Sequence, residues 1–139
     1  MIAPIYHEQL ADGLLYQVFP PAIHSLTLFD TERQTLDKAF ELATCLNQAH
    51  PVGDLQYLCF AESLSLNPYL LTKLNQSLNL ISADCNLSVA VVADAFFAQV
   101  VEQVILPSIK PPFRSSVFIC STEKDAFEWL ESRRNMRVR

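Results

Sequence analysis

Residues 87–134, LSVAVVADAFFAQVVEQVILPSIKPPFRSSVFICSTEKDAFEWLESRR, decide the fold class. Ser88-Val-Ala-Val-Val-Ala93 is short, almost wholly apolar and rich in β-branched residues, the signature of a strand covered on both faces in a parallel sheet. Asp94 then supplies an N-cap, and Phe97, Val100, Val101, Val104 and Ile105 recur at helical spacing as one continuous stripe. Pro107 and Pro111-Pro112 end that helix and stiffen the crossing. Val117-Phe-Ile-Cys120 reads as a second strand, and Thr122-Glu-Lys-Asp125 as a capping box opening a last helix. Two parallel strands joined by a helix make a right-handed crossover unit.

Upstream, the same alternation extends back to a hairpin. Ile5–Leu10 and Leu14–Phe19 are short alternating runs separated by Ala11-Asp12-Gly13, and Asp-Gly is a hairpin turn signal. Pro20-Pro21 breaks the second run, so the third, Ile23–Phe29, is expected at a sheet edge. Leu36, Ala39, Phe40, Ala43 and Leu46 share one helical face behind the capping box Thr31-Glu-Arg-Gln34, predicting a helix to about Gln48. Asp54–Phe60 is apolar enough for a central strand, and Asn67-Pro68 opens a helix whose buried face is Leu70, Leu71, Leu74 and Leu78. The whole predicts one α/β domain over residues 1–139: a mixed sheet with βα repeats and an N-terminal hairpin.

Composition excludes several function classes. The chain has 139 residues, 50% hydrophobic and 18% charged, with a formal charge of −5. Residues 1–110 carry four Lys/Arg against eleven Asp/Glu, and an acidic body argues against nucleic-acid binding, which depends on neutralising phosphates. Arg133, Arg134, Arg137 and Arg139 depart from that balance and read as solvated cations at a helix C-terminus. No apolar run reaches the length of a membrane span and the N-terminus has no export pattern, so a soluble, cytoplasmic protein is expected, with no membrane insertion. Cys45, Cys59, Cys85 and Cys120 are far apart and sit in apolar segments, which predicts buried reduced thiols. Two glycines cannot build a phosphate cradle, and neither cofactor nor metal is implied.

The order of elements, together with Pro111-Pro-Phe-Arg-Ser-Ser-Val-Phe118 and Ser121-Thr-Glu-Lys-Asp-Ala-Phe-Glu-Trp-Leu130, resembles the bacterial SpoIIAA-like proteins of the STAS and SEC14-like fold. That family's closing segment reads as proline, an apolar strand, a Thr/Ser-Glu cap, then Ala-x-x-Trp-Leu, here Ala126-Phe-Glu-Trp129-Leu130. The resemblance covers the chain from Leu14 onward. It implies a non-enzymatic domain that binds other proteins or small ligands, in some members under the control of a phosphorylated serine after a central strand. The corresponding loop is Phe60–Pro68, which has serines but not the Asp-Ser-Ser-x-Gly context.

The candidate sites follow. Ser63, Ser65 and Asn67 lie where a strand exit meets a helix N-terminus, a place that favours an anion or phosphate; the plainer reading gives the two serines turn and cap hydrogen bonds. Phe96, Val101 and Ile105 widen the apolar arc of the helix after Asp94 beyond one sheet contact, which predicts a homodimer through that helix or the proline-rich segment behind it. No catalytic residues are assigned: His7, His24 and His50 carry no nucleophilic signature, and Asp54, Glu62, Asp84 and Asp94 near strand ends read as caps and solvated charges. Trp129 reads as the core anchor of the last helix. The expected function is protein interaction with an unidentified partner. The alternative, which the SEC14-like resemblance implies, is a binder of an apolar or lipid-like small ligand, which an apolar cavity would favour.

Overall fold

Strand β3 (Ile23–Leu28) joins the two halves of the sheet in the computed structural model, which describes residues 3–49, 53–61, 68–79, 81, 85–108 and 116–137. On one side it pairs antiparallel with β2 (Leu14–Phe19), which pairs antiparallel with β1 (Tyr6–Ala11). On the other it pairs parallel with β4 (Gly53–Phe60), followed by β5 (Cys85–Val92) and β6 (Val117–Cys120). Among the described residues the sheet is six-stranded and runs in chain order from β1 to β6. The class is therefore α/β, with a mixed sheet and an N-terminal hairpin. β3, however, is interior and not an edge. Pro20 and Pro21, joined by a cis peptide, sit in the turn between β2 and β3 and remove no donor from either ladder, so β3 can pair on both sides.

Helices α1 (Arg33–Ala49) and α2 (Pro68–Asn79) link β3 to β4 and β4 to β5. The third, α3, is α-helical over Ala95–Val100, π-helical over Val101–Ile105 and α-helical again over Leu106–Ser108. The last, α4, is Glu123–Arg137. Parallel strands laid side by side in chain order, each joined by a right-handed crossover, put every crossover helix on the same face. Leu55, Tyr57, Leu87, Val89 and Val91 accordingly meet Ala43, Leu74 and Phe97 of α1, α2 and α3. On the opposite face, Leu58, Ala90 and Val92 meet Ala126 and Leu130 of α4. β5 is thus covered on both sides, as its apolar run requires.

The local signals act as read at two helix starts. Asp94 Oδ1 accepts the N–H of Phe97 at 2.8 Å, and Thr122 Oγ1 accepts that of Asp125 at 3.2 Å. Gly13 serves a different purpose from a hairpin glycine. Its φ lies outside the left-handed region, but a Cβ there would stand 2.6 Å from Thr35 Oγ1 and closer still to the Asp30 carboxylate. Gly53, at φ +91°, is the glycine needed for its backbone.

The packing of α4 revises two expectations. Leu130 and Ala126 are fully buried, whereas Trp129 is half-buried, stacked on Phe118 with ring centroids 5.2 Å apart. Arg133 and Arg134 are not simply solvated. Arg133 donates from Nε to Ser88 Oγ (3.0 Å) and from Nη2 to the Leu87 carbonyl (2.9 Å), and Arg134 Nη1 donates to Gln56 Oε1 (2.5 Å). Gln56 returns a bond from Nε2 to the Leu130 carbonyl at 2.8 Å. α4 packs over β5 and β4, so Arg133 and Arg134 in its C-terminal half meet Ser88 and Gln56 midway along those strands. Leu130→Ala should lower unfolding free energy by about 2–5 kcal/mol, and Trp129→Ala by less. Urea denaturation giving the opposite order would make Trp129 the anchor after all.

Candidate functional site

Alternation along the strands sends Leu26 and Leu28 of β3, Cys59 of β4, Val89 and Val91 of β5 and Val117 of β6 to the three-helix face. Above them stand Ala39, Phe40 and Ala43 from α1, Leu70 and Leu74 from α2, and Phe97, Val101 and Leu106 from α3. These side chains do not close on one another. They surround a cavity of about 170 Å³ in which no polar atom is exposed.

Burial along the strands locates it. Leu55 and Tyr57 near the start of β4 are 1% and 6% exposed, while Cys59, two residues on, is only half-buried. Val89 and Val91, on an interior strand with helices on both faces, are half-buried as well. All three line the cavity. Desolvation pushes the Cys59 thiol up to about 12, as expected of a sulfur facing an apolar void. The cavity therefore lies toward the C-terminal ends of the parallel strands, the end at which α/β proteins hold ligands.

The π turn in α3 shapes one wall. The Leu106 N–H bonds to the Val101 carbonyl, five residues back. Sequence periodicity continues the inner stripe from Val101 to Val104, yet Val104 is 40% exposed and Leu106 lines the cavity. Pro107 supplies a physical reason. In an uninterrupted α-helix its ring would press on the carbonyl of Gln103, and widening the preceding turn relieves that contact.

Other depressions are larger but chemically mixed. One of about 520 Å³ is open and runs between α4 and the β2–β3 turn, with Glu123, Glu128 and Glu131 beside Lys124 and Arg134. Another, of about 360 Å³, lies between α1 and α2, where Tyr69 donates to Asp37 and Arg33 stands 4.4 Å over its ring. Both are lined by charged side chains of either sign, and in the second Lys73 lies 3.8 Å from Asp37. Below the cavity, a polar thread ties the sheet to the helices. Tyr16 Oη lies 2.8 Å from His24 Nδ1, Tyr57 donates to Asn47 Oδ1 at 2.8 Å, and Asn47 donates to the Ser77 carbonyl at 3.4 Å. Burial raises the pKa of Tyr57, which keeps it a neutral donor.

The residues singled out by sequence are dispersed. Ser63, Ser65 and Asn67, with Glu62 and Asp84, lie outside the described residues. Phe96 is 73% exposed, but Val101 is 4% exposed and faces the cavity, so it cannot meet a partner; the Ile105 side chain is outside the described set. Asp94 is a cap, and Asp54 accepts from Asn86 Nδ2 at 2.8 Å. Among the described residues no group of His, Cys, Asp and Glu could hold a metal ion. Cys45 is exposed and Cys59, Cys85 and Cys120 are half-buried, contrary to the expectation of buried thiols. What sequence reading missed is the convergence of Ala39, Ala43, Cys59 and Ala61 on one space. Their small size was visible in the chain, but their facing one another was not.

Fold and cavity together define an α/β domain with an apolar interior site. Comparison with family models, curated proteins and solved structures finds no match. No described helix is long and apolar enough to cross a membrane. In the native protein at pH 8, a thiol reagent should label Cys45 rapidly and Cys59 only in denaturant; fast native labelling of Cys59 would mean that its thiol is open to water.

Proposed function

We propose that this chain is a soluble, cytoplasmic, non-enzymatic binding domain of SpoIIAA-like type that holds a small apolar ligand between its sheet and helices α1 to α3. The observation that carries this reading is the 170 Å³ cavity with its wholly apolar wall. Hydrocarbon buried against that wall is favoured by roughly 25 cal/mol per Å² removed from water, so an apolar occupant is stabilised there. An apolar cavity of comparable size in another protein stays dry and takes benzene. The resemblance to SEC14-like proteins points the same way.

Benzene should therefore raise the melting temperature of the wild type, since a ligand at 100 times its Kd adds about 2.7 kcal/mol to stability. Ala43→Leu, which grows a side chain into the cavity, should abolish that response. An unchanged melting temperature in saturated benzene would remove the basis of this reading.

A second reading, protein interaction through the outer face of α3, is favoured by Phe96 at 73% exposure and Val104 at 40%. It predicts a homodimer that Phe96→Asp dissociates. Sedimentation of the wild type as a monomer at micromolar concentration would count against it.

A further inference from the structure

The geometry points to a size filter inside the cavity: the site accepts a neutral hydrocarbon group of about six to eight carbons, and Leu106, delivered by the π turn of α3, sets the limit. This rests on the apolar-ligand reading above and specifies its ligand and its selecting residue.

The chemical class follows from the wall. With no polar atom exposed in the cavity, any hydroxyl, amide or charge drawn inside would lose its hydration without replacement. Among the described residues, the one side-chain heteroatom in the wall is the sulfur of Cys59, a weak donor held protonated by desolvation. The buried part of the ligand is therefore hydrocarbon alone. Size follows from volume: about 170 Å³, filled at the packing density of a protein interior, holds a little more than a benzene ring. A free small hydrocarbon satisfies these terms, and so does the terminal segment of an amphiphile whose head remains outside.

The selecting residue follows from helix geometry. In an uninterrupted α-helix, Leu106 would stand roughly 140° around the axis from Val101 and point away from the cavity. The bond from the Leu106 N–H to the Val101 carbonyl closes the wider turn that brings both into one wall, with Phe97 one turn earlier. The same turn carries Val104 out to 40% exposure. One wall of the site is thus built by a local departure from the helical period, and Leu106 is the side chain that departure adds.

Two homologous series test this by calorimetry: n-alkylbenzenes, and 1-alkanols from butanol to dodecanol. Wild-type affinity should rise about fourfold per methylene until the buried group reaches about eight carbons, then level off or fall. Leu106→Ala should move that break out by about three carbons, and Val104→Ala should leave it in place. If Leu106→Ala does not fold, Leu106→Phe reads the same point with the break moved inward. Binding of alkylbenzenes alone supports the proposal with a free hydrocarbon as source; binding of both series supports it with the chain end of an amphiphile. A break that is absent, that ignores Leu106, or that follows Val104 overturns the size filter while leaving the cavity a binding site. Failure of every probe to bind the wild type overturns both.

Discussion

The handedness of the crossover connection is the constraint on which the rest of this structure depends. β3, β4, β5 and β6 lie in chain order, so three successive right-handed crossovers leave α1, α2 and α3 no choice but one face. The strand order never reverses along this run, so the crevice that forms at a switch point in doubly wound sheets does not arise. Any interior site must instead lie between the sheet and the layer of three helices. The cavity is found there, near the strand ends where Leu28, Cys59 and Ala61 stand.

The same constraint gives α4 its task. With the crossover helices all on one side, the other face of β4, β5 and β6 would be wet, and Leu58, Ala90 and Val92 could not be buried. α4, which follows β6, covers that face. Leu130 supplies the apolar contact. Arg133 and Arg134 donate to Ser88 Oγ and Gln56 Oε1, polar side chains that are buried at 0% and 3% exposure under the helix. Two unlike layers result: a charged helix locked by hydrogen bonds, and three helices packed by apolar contact around a void.

That asymmetry bears on function. The α4 layer pairs the buried Ser88 and Gln56 with its own arginines and leaves the buried Ser25 hydroxyl of β3 without a hydrogen-bond partner among the described residues. The three-helix layer contains small side chains where larger ones would pack, Ala39, Ala43 and Ala61 among them, and a proline that widens the helix opposite. A core selected for stability alone fills such a space, because each missing contact weakens it. Here the unfilled space is contiguous and free of polar atoms, the form that suits an apolar occupant.

Much of the architecture was legible in the chain. The apolar run at β5, the hairpin, the helical stripes and the caps at Asp94 and Thr122 are local: each depends on a few neighbouring residues, and elementary periodicity and capping suffice to read them. The alternative of an apolar ligand came from the resemblance to SEC14-like proteins and carried no location. The interior position of β3, the close approach that requires Gly13, and the pairing of Arg133 and Arg134 with residues some 45 and 78 positions away each depend on which surfaces meet. The cavity is further removed still. Side chains show their volumes in the sequence, but the space left between them is set by the separation of helices from sheet and by one π turn, and only the tertiary structure decides those.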